Sequence, residues 1–223
     1  MPSPETLTRF RPPLSAERLA RIAIEERGAI QKHGELRALL ELIAVKPPTR
    51  LLEVGTAAGG ALWAFCQVAH NDALIVCLDL PDGPFGGGWS EAQLRRFPNF
   101  CRGAQRVVAL PLDSHDPASV RRVRDAVDDE PLDFLFIDAD HRYESVKRDF
   151  EMYSPLVAPG GLIALHDILP NSDYQGSEVE LLWTELRTRY RTQELVAEDE
   201  RLDMGRWGGI GVLWMPDETG LES

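Results

Sequence analysis

The chain has 223 residues, 43% of them hydrophobic, and carries a formal net charge of −12 at pH 7. That length and apolar content suffice for one well-filled α/β domain, and no linker rich in Pro, Gly or Ser indicates a second. Nucleic acid and membrane surfaces are disfavoured as partners, because both carry phosphate charge that an acidic chain repels.

The N-terminal segment predicts a subunit contact and no targeting signal. Residues 1–14 contain four prolines and no apolar signal region, and no run of about 18 apolar residues occurs in the chain. Ser15 is positioned to cap an amphipathic helix that lasts to Gly28. We expect residues 1–34 to form an arm and a helix that help to build a two-fold homodimer.

The cysteine pattern indicates a reducing compartment. Cys66, Cys77 and Cys101 are isolated and form no CxxC pair. Two of them lie in apolar runs, where a free cysteine packs as a small hydrophobic residue. Together with the lack of an apolar signal region, this predicts a soluble, cytoplasmic protein.

The remainder of the chain alternates between two hydrophobic periodicities. Apolar runs predict strands at residues 50–54, 74–80, 106–112, 134–137 and 162–165, and two further β-type runs at about 194–197 and 210–215. Helical spacing predicts helices from about residue 35, over 61–68, from 116, through 146–153 and over 178–190. This order predicts an α/β fold. We expect a doubly wound, Rossmann-like sheet of seven strands, mostly parallel with a terminal antiparallel hairpin, and helices on both faces.

A glycine-rich turn follows the first predicted strand and is a candidate ligand site. The sequence EVGTAAGG lets the backbone approach a ligand closely and points helix N–H groups at it. Its G-x-x-x-G-G spacing differs from the dinucleotide fingerprint G-x-G-x-x-G. Glu53, two residues before Gly55, would repel a pyrophosphate but can accept hydrogen bonds from an ammonium group or an ordered water. The alternative is a purely structural turn with a surface glutamate.

The ends of the next two strands supply further candidates at the same edge. Asp79 follows Gly55 by about the spacing at which an acidic residue accepts hydrogen bonds from ribose hydroxyls, although a helix-capping or solvated aspartate is the alternative. Residues 82–89 contain four glycines and two aromatic residues, which fits either a mobile flap over a ligand or a long connection. Asp113 and Ser114 follow the third strand, where they can contact an adenine.

Polar residues also follow the fourth and fifth predicted strands. Asp138 and His141 come directly after an apolar run, and His166 and Asp167 end the next one. Because the carboxyl ends of adjacent parallel strands meet at one edge of a sheet, these four side chains should surround one small volume. We take this cluster as the candidate active site.

These motifs resemble the class I S-adenosylmethionine-dependent methyltransferases over about residues 28–215. The resemblance is carried by the order and spacing of Glu53-x-Gly55, Asp79, Asp113-Ser114 and Pro159-Gly160-Gly161. Within that class, IDADHRYESVKRDF and PGGLIALHDI are similar to the bacterial O-methyltransferases related to macrocin, mycinamicin and rhamnosyl methyltransferases and to the cephalosporin-hydroxylase-like group. The resemblance implies that residues 35–223 form a class I methyltransferase domain.

The family resemblance also implies a ligand set. S-Adenosylmethionine would be bound by the strand ends and the glycine turn, at Glu53, Gly55, Thr56, Gly59, Asp79, Asp113, Ser114 and Asp138. The family binds a divalent metal through an aspartate after the fourth strand and an acidic or Asp-Asn pair after the fifth, and for this chain the expected metal is Mg²⁺ or Mn²⁺. Here these residues would be Asp138, His166 and Asp167. The general base of the family corresponds to His141, so His141 and Asp138 are the implied catalytic residues.

One departure from the family pattern bears on the metal. The first member of the second pair is usually a carboxylate, whereas this chain has His166. Because Mg²⁺ prefers oxygen ligands, the histidine disfavours magnesium and admits Mn²⁺, Fe²⁺, Zn²⁺ or no metal. In the metal-free alternative, Asp138 holds the cofactor amine and His166 only packs.

The resemblance implies transfer of a methyl group to a hydroxyl of a small molecule. The acceptor would be a sugar or a glycosylated natural product, with a metal lowering the hydroxyl pKa and His141 accepting its proton. Two alternatives stay open. One is metal-independent N- or carboxyl-methylation of a small metabolite, and the other is a non-catalytic cofactor-binding subunit.

Overall fold

The computed structural model describes residues 14–81, 89–170, 177–197 and 207–217. Its strands are β1 Arg50–Val54, β2 Leu74–Asp79, β3 Arg106–Pro111, β4 Leu132–Ile137, β5 Val157–His166, β6 Arg191–Leu195 and β7 Ile210–Trp214. Its helices are α1 Ala16–Arg27, α2 His33–Val45, α3 Gly60–Val68, α4 Glu91–Arg96, α5 Pro117–Ala126, α6 Tyr143–Tyr153 and α7 Val179–Leu186. Short 3₁₀ turns follow α4 and α6 at Phe97–Phe100 and Ser154–Leu156.

The strands form one sheet in the order β3-β2-β1-β4-β5-β7-β6. The pairs β1–β2, β2–β3, β1–β4 and β4–β5 are parallel, whereas β7 is antiparallel to both β5 and β6. The predicted fold class is confirmed: the sheet is Rossmann-like, with seven strands that are mostly parallel and end in an antiparallel pair. The strand order reverses direction between β1 and β4, which is where open α/β sheets bind ligands.

The sheet has a hydrophobic core on each face. Side chains alternate along a strand, so in β1 Leu51 packs in the core with α1–α3, whereas Leu52 and Val54 pack in the core with α5–α7. Phe136 of β4 and Ala164 of β5 belong to the α1–α3 core. Asp138 and His166 come two positions after Phe136 and Ala164. By the same alternation they lie on the sheet face that α2 covers.

The N-terminal helices pack directly on the glycine turn. The Ser15 side chain caps α1 as predicted, accepting from Arg18 N at 3.4 Å, and α1 packs on α2 and α3. Gly60 lies so close to the α1–α2 loop that an added Cβ would meet Ala29 N at 2.1 Å. A role of residues 14–34 in dimer formation stays a prediction. Within the described ranges, no helix is long and apolar enough to cross a membrane.

Some element boundaries differ from those predicted. β5 begins at Val157, before the Pro-Gly-Gly motif, and the β4–β5 register shifts between Leu132 and Phe134, so the motif is an irregularity within the strand. β6 begins at Arg191, three residues before the predicted run. The α4 helix was not predicted. The proposed hairpin connection at 198–206 and most of the proposed flap, residues 82–88, lie outside the described residues.

Candidate functional site

The ends of β4 and β5 bring the four predicted polar residues into contact. β4 pairs with β5 through Ile137 and Leu165, so Asp138 and His166, the next residues along each strand, lie side by side. The backbone N–H of Asp138 donates to Val54 O at 2.8 Å, which ties the end of β4 to β1. The adjacency on which the candidate site depends is therefore present.

Two carboxylates and two imidazoles form a closed ring of contacts at these strand ends. Asp138 Oδ1 lies 3.5 Å from His141 Nε2 and 3.2 Å from His166 Nδ1. Asp167 Oδ2 lies 3.1 Å from His141 Nδ1 and 3.6 Å from His166 Nδ1. Each imidazole therefore bridges both carboxylates. A cation between the two acids, whether a protonated imidazole or a metal ion, is favoured electrostatically.

A third carboxylate reaches this ring from α2. Glu35 is 1% exposed, and its Oε1 lies 2.8 Å from His166 Nε2. It also accepts hydrogen bonds from Lys32 N at 2.8 Å and from Gly209 N at 2.6 Å. Sequence reasoning did not identify this residue. The sequence feature that could have identified it is a charged residue on the buried helix face that also carries Leu36 and Leu39.

The mutual contacts shift the pKa values of Asp138, His141 and His166. Burial by itself would raise the pKa of Asp138, but His166 and His141 outweigh it and hold that pKa well below its usual range. Burial would lower the pKa of His166, yet the neighbouring Asp138 and Asp167 and the hydrogen bond to Glu35 raise it well above its ordinary value. The pKa of His141 is also raised, because contacts with the two aspartates outweigh burial. Asp138 is therefore ionised near neutral pH.

The backbone at Asp167 is strained. Its φ of 62° is in the left-handed region that residues with a Cβ rarely adopt, and this costs about 1–2 kcal/mol. Asp167 Oδ1 accepts a hydrogen bond from Gly208 N at 3.0 Å, which helps to hold the conformation. Strain of this kind concentrates at functional sites, where it orients a particular side chain. Here it turns the carboxylate back toward His141.

The glycine turn contacts the end of β4. Gly55 has a φ of 86°, and an added Cβ there would meet Asp138 O at 2.1 Å, so only glycine fits. Gly59, with a φ of 85°, is the residue before α3, and its N–H donates to Thr56 O at 2.8 Å. The glycine turn therefore packs its backbone at Gly55 directly against the strand end that carries Asp138.

Glu53 is buried, whereas the alternative of a purely structural turn placed this glutamate at the surface. It is 1% exposed, and neither carboxylate oxygen has a hydrogen-bond partner of good geometry among the described residues. Burial raises the pKa of this carboxyl well above its usual range, an effect that the nearby Thr56 hydroxyl only partly offsets. A buried carboxyl without a partner is unfavourable, so a donor from an ordered water or a ligand is expected at Glu53.

Asp79 supports the turn from β2. Its Oδ2 accepts from Thr56 N at 3.0 Å and from Ala57 N at 2.6 Å, and its Oδ1 accepts from Leu80 N at 2.8 Å. Trp89 is buried and donates from Nε1 to Ala57 O at 3.0 Å. These bonds hold the turn before α3 and are not a helix cap, since the N-cap residue of α3 is Gly59. The remaining acceptor capacity of Asp79 leaves the ribose role as a prediction.

Asp113 and Ser114 follow β3, as predicted. Asp113 is exposed, and its Oδ1 accepts from His115 N at 2.9 Å. Ser114 is half-buried, and its carbonyl accepts from the Tyr153 hydroxyl at 2.8 Å. Both residues lie beyond the end of the strand that pairs with β2, where Asp79 is opposite Pro111. Contact with an adenine stays a prediction for both.

The ring has donor atoms that fit a divalent metal. Single ligand atoms of Asp138, His141 and Asp167 all lie within 4.8 Å of one another. His166 also directs Nδ1 toward both aspartates, while its Nε2 contacts Glu35. A metal-bound histidine usually donates its other ring N–H to a carboxylate in this way. Two carboxylate oxygens and an imidazole nitrogen suit Mn²⁺, Fe²⁺ or Zn²⁺ better than Mg²⁺.

The fold is that of Rossmann-like methyltransferases. An O-methyltransferase from Bacillus cereus, solved in complex with SAH (S-adenosylhomocysteine), is 17% identical and superposes with a TM-score of 0.57 over 93% of each chain. TomG, an O-methyltransferase from Streptomyces achromogenes solved with SAM, gives 17% identity and a TM-score of 0.57 over 91% of this chain and 90% of its own. MycE, solved with Mg, SAH and mycinamycin VI, gives 16% identity and 0.58 over 94% of this chain and 57% of its own.

The sequence of the central region matches a family directly. Residues 52–168, more than half of the chain, match the family described as "Methyltransferase domain". The chain therefore belongs to this methyltransferase domain family, which confirms the class predicted from its motifs. It is also 26% identical over 137 residues to the uncharacterized protein y4gI of Sinorhizobium fredii, and the matched part is 56% of this chain but only 14% of that protein.

Proposed function

We propose that the chain transfers a methyl group from S-adenosylmethionine to a hydroxyl of a small molecule, with the help of a divalent metal. The observation that carries the proposal is the ring of Asp138, His141, His166 and Asp167 beside the glycine turn. A protein that only bound the cofactor would need the turn but not a second set of acids and imidazoles at the neighbouring strand ends.

The cofactor site is proposed along the carboxyl ends of β1, β2 and β3. Three features support it: the close approach of Gly55 to Asp138, the buried Glu53 without a partner, and Asp79 holding the turn. The N-terminus of α3 adds backbone N–H groups for an anionic end of the ligand. Thr56, Gly59, Asp113 and Ser114 complete the set of proposed cofactor contacts.

The metal is proposed at Asp138, His166 and Asp167. Glu35 would orient His166 through Nε2 and leave Nδ1 directed at the aspartates. When bound, the metal would lower the pKa of a coordinated acceptor hydroxyl. Among structures with this fold, MycE contains Mg and SAH. His141 is the alternative nitrogen ligand, because its ligand atom and those of Asp138 and Asp167 all lie within 4.8 Å of one another.

His141 is proposed as the general base. It is the more exposed of the two imidazoles, with 29% of its side chain exposed against 3% for His166, so an acceptor can reach it from outside the ring. Asp167 Oδ2 lies 3.1 Å from Nδ1 and fixes the orientation of the imidazole, while Nε2, at the longer distance of 3.5 Å from Asp138 Oδ1, is the nitrogen that would accept the proton once Asp138 holds the metal. Removal of the hydroxyl proton by this imidazole makes the acceptor oxygen a better nucleophile toward the methyl group.

The proposed acceptor is a sugar or a glycosylated natural product. The motif resemblance supports this class, and two proteins of the same fold, MycE and TomG, belong to mycinamycin and tomaymycin biosynthesis. Neighbouring hydroxyls of a sugar could chelate a metal held by Asp138 and Asp167. We also propose that the protein works in the cytoplasm, where the cofactor is made.

Labelled methyl transfer to a panel of sugars and other vicinal diols tests the proposal. His141→Ala should lower turnover by about 100-fold or more, the usual loss when a general base is removed, while SAH and Mn²⁺ affinities stay at wild-type values. His70→Ala, a change of an exposed histidine in the α3–β2 loop, is the matched control and should keep full activity.

Three outcomes would change the proposal. Equal turnover in the His141 and His70 variants would exclude His141 as the base. Loss of Mn²⁺ binding in His141→Ala would make it a metal ligand. Full wild-type activity in EDTA, with no metal bound, would select methylation without a metal, for which N- or carboxyl-methyl acceptors are then tested.

A further inference from the structure

Gln31 connects the N-terminal helices to the candidate active site. It lies in the loop between α1 and α2, is 5% exposed, and donates from Nε2 to Asp138 Oδ2 at 2.5 Å. This is the second oxygen of Asp138, since Oδ1 faces the two imidazoles. Gln31 therefore binds the oxygen of Asp138 that the two imidazoles do not contact.

The loop that carries Gln31 is packed against the glycine turn. An added Cβ on Gly60 would meet Ala29 N at 2.1 Å, and one on Gly28 would meet the Cβ of Ala58 at 3.1 Å. The loop and the turn are therefore in contact along their backbones. The side chain of Gln31 is held at the boundary between the proposed cofactor site and Asp138.

One half of the Gln31 amide has no partner. Its Oε1 is buried and accepts no hydrogen bond from any described residue, although its Nε2 is used. Buried amide oxygens are nearly always paired, because an unpaired one costs about 1–3 kcal/mol. Since the bond to Asp138 requires the nitrogen on that side, the oxygen must face elsewhere. The arrangement implies that another molecule donates to Oε1.

The neighbouring groups define the chemistry of that molecule. Both oxygens of Glu53 are buried and lack a partner of good geometry. Glu53 lies on β1 and Asp138 follows β4, at positions of the sheet face that α1–α3 cover, and this is the face that Gln31 approaches. Gln31 Oε1 is an acceptor, and both oxygens of Glu53 are acceptors when this carboxyl is ionised, which a bound cation favours. An occupant that satisfies them must offer several N–H donors and positive charge, as a primary ammonium group does.

We propose that Gln31 Oε1 accepts a hydrogen bond from the α-ammonium group of the methionyl part of S-adenosylmethionine, while Nε2 orients Asp138. The assignment rests on the proposed function and adds a residue from the N-terminal segment to the cofactor site. The amide thereby links cofactor binding to the position of the aspartate at the reaction centre. The α1–α2 loop becomes a part of the binding site in addition to its packing role.

Calorimetry with Gln31→Met tests the assignment, because methionine has a similar length but no amide. The probes are SAH and an SAH analogue that lacks the α-amino group. Loss of one hydrogen bond to a charged group should weaken SAH binding by about 10- to 100-fold. The affinity for the deaminated analogue should change by less than about 2-fold, since it cannot make the bond. Gln67→Met, a change on α3 away from the turn, is the control and should bind both probes as the wild type does.

The outcomes separate this assignment from the proposed function. If wild-type protein does not bind SAH, the proposed function fails and the assignment with it. If wild type binds SAH and Gln31→Met binds it equally well, or loses the two probes equally, the assignment alone is wrong. Should the variant not fold, a crystal structure of the wild-type SAH complex decides. Gln31 Oε1 should lie within about 3.2 Å of the amine nitrogen, and a separation beyond about 4 Å would refute the bond.

Discussion

Replacing Glu35 by glutamine should destabilise the protein strongly, although the two side chains have the same shape. Glu35 is 1% exposed and accepts from three donors, His166 Nε2, Lys32 N and Gly209 N, at 2.8, 2.8 and 2.6 Å. A glutamine offers one acceptor oxygen, so its NH₂ group must face at least one of these donors. The substitution also removes the negative charge opposite His166.

The size of the effect follows from these contacts. Removing one partner of a buried, hydrogen-bonded charge pair costs about 3–5 kcal/mol, a large share of the 5–15 kcal/mol that is typical of total stability. In a domain of this length, each kcal/mol lowers Tm by about 2–4 °C. We therefore expect Glu35→Gln to melt about 6–20 °C below wild type.

Thermal unfolding followed by circular dichroism measures this difference. Glu41→Gln is the matched control, because Glu41 lies on the same helix but is exposed and forms only a surface pair with Arg37 at 2.9 Å. Such a pair contributes about 0.5 kcal/mol or less. If Glu35→Gln melts within about 1 °C of Glu41→Gln, the buried carboxylate does not hold α2 to the strand ends and the reasoning is wrong.

Three further predictions follow from other parts of the molecule. Asp79→Ala should weaken SAH binding by about 1–3 kcal/mol in calorimetry, and unchanged affinity would remove this residue from the cofactor site. The contact of His115 Nε2 with the buried Asp149 Oδ1, 3.4 Å away, raises the pKa of His115, so the pair stabilises the fold below about pH 6.5 and loses this contribution as pH rises through the folded pKa. The urea-unfolding difference between wild type and Asp149→Asn should therefore shrink from pH 6 to 8, and a constant difference would contradict the pairing. Light scattering should give the mass of a dimer, and a monomer at micromolar concentration would rule out the predicted assembly.

Local pattern was sufficient for the framework of the molecule. Apolar runs that end in polar residues predicted the strands. The spacing of the glycines predicted the turn that follows Glu53 and begins at Gly55. Because parallel strands bring their carboxyl ends to one edge, Asp138 and Asp167 could be expected to meet without knowledge of any side-chain position. Each of these inferences depends on residues close together in the sequence or on a general rule of sheet geometry.

Only the tertiary structure decided which groups surround that cluster. Glu35 contacts a histidine 131 positions later in the chain, and Gln31 donates to an aspartate 107 positions later. Neither residue has a local motif that distinguishes it from other polar residues of an amphipathic N-terminal segment. Their roles arise because α2 and the loop before it pack over the ends of β4 and β5. Packing of this kind depends on how the whole core is filled, and hydrophobic periodicity sets which face of a helix is buried without specifying what it meets.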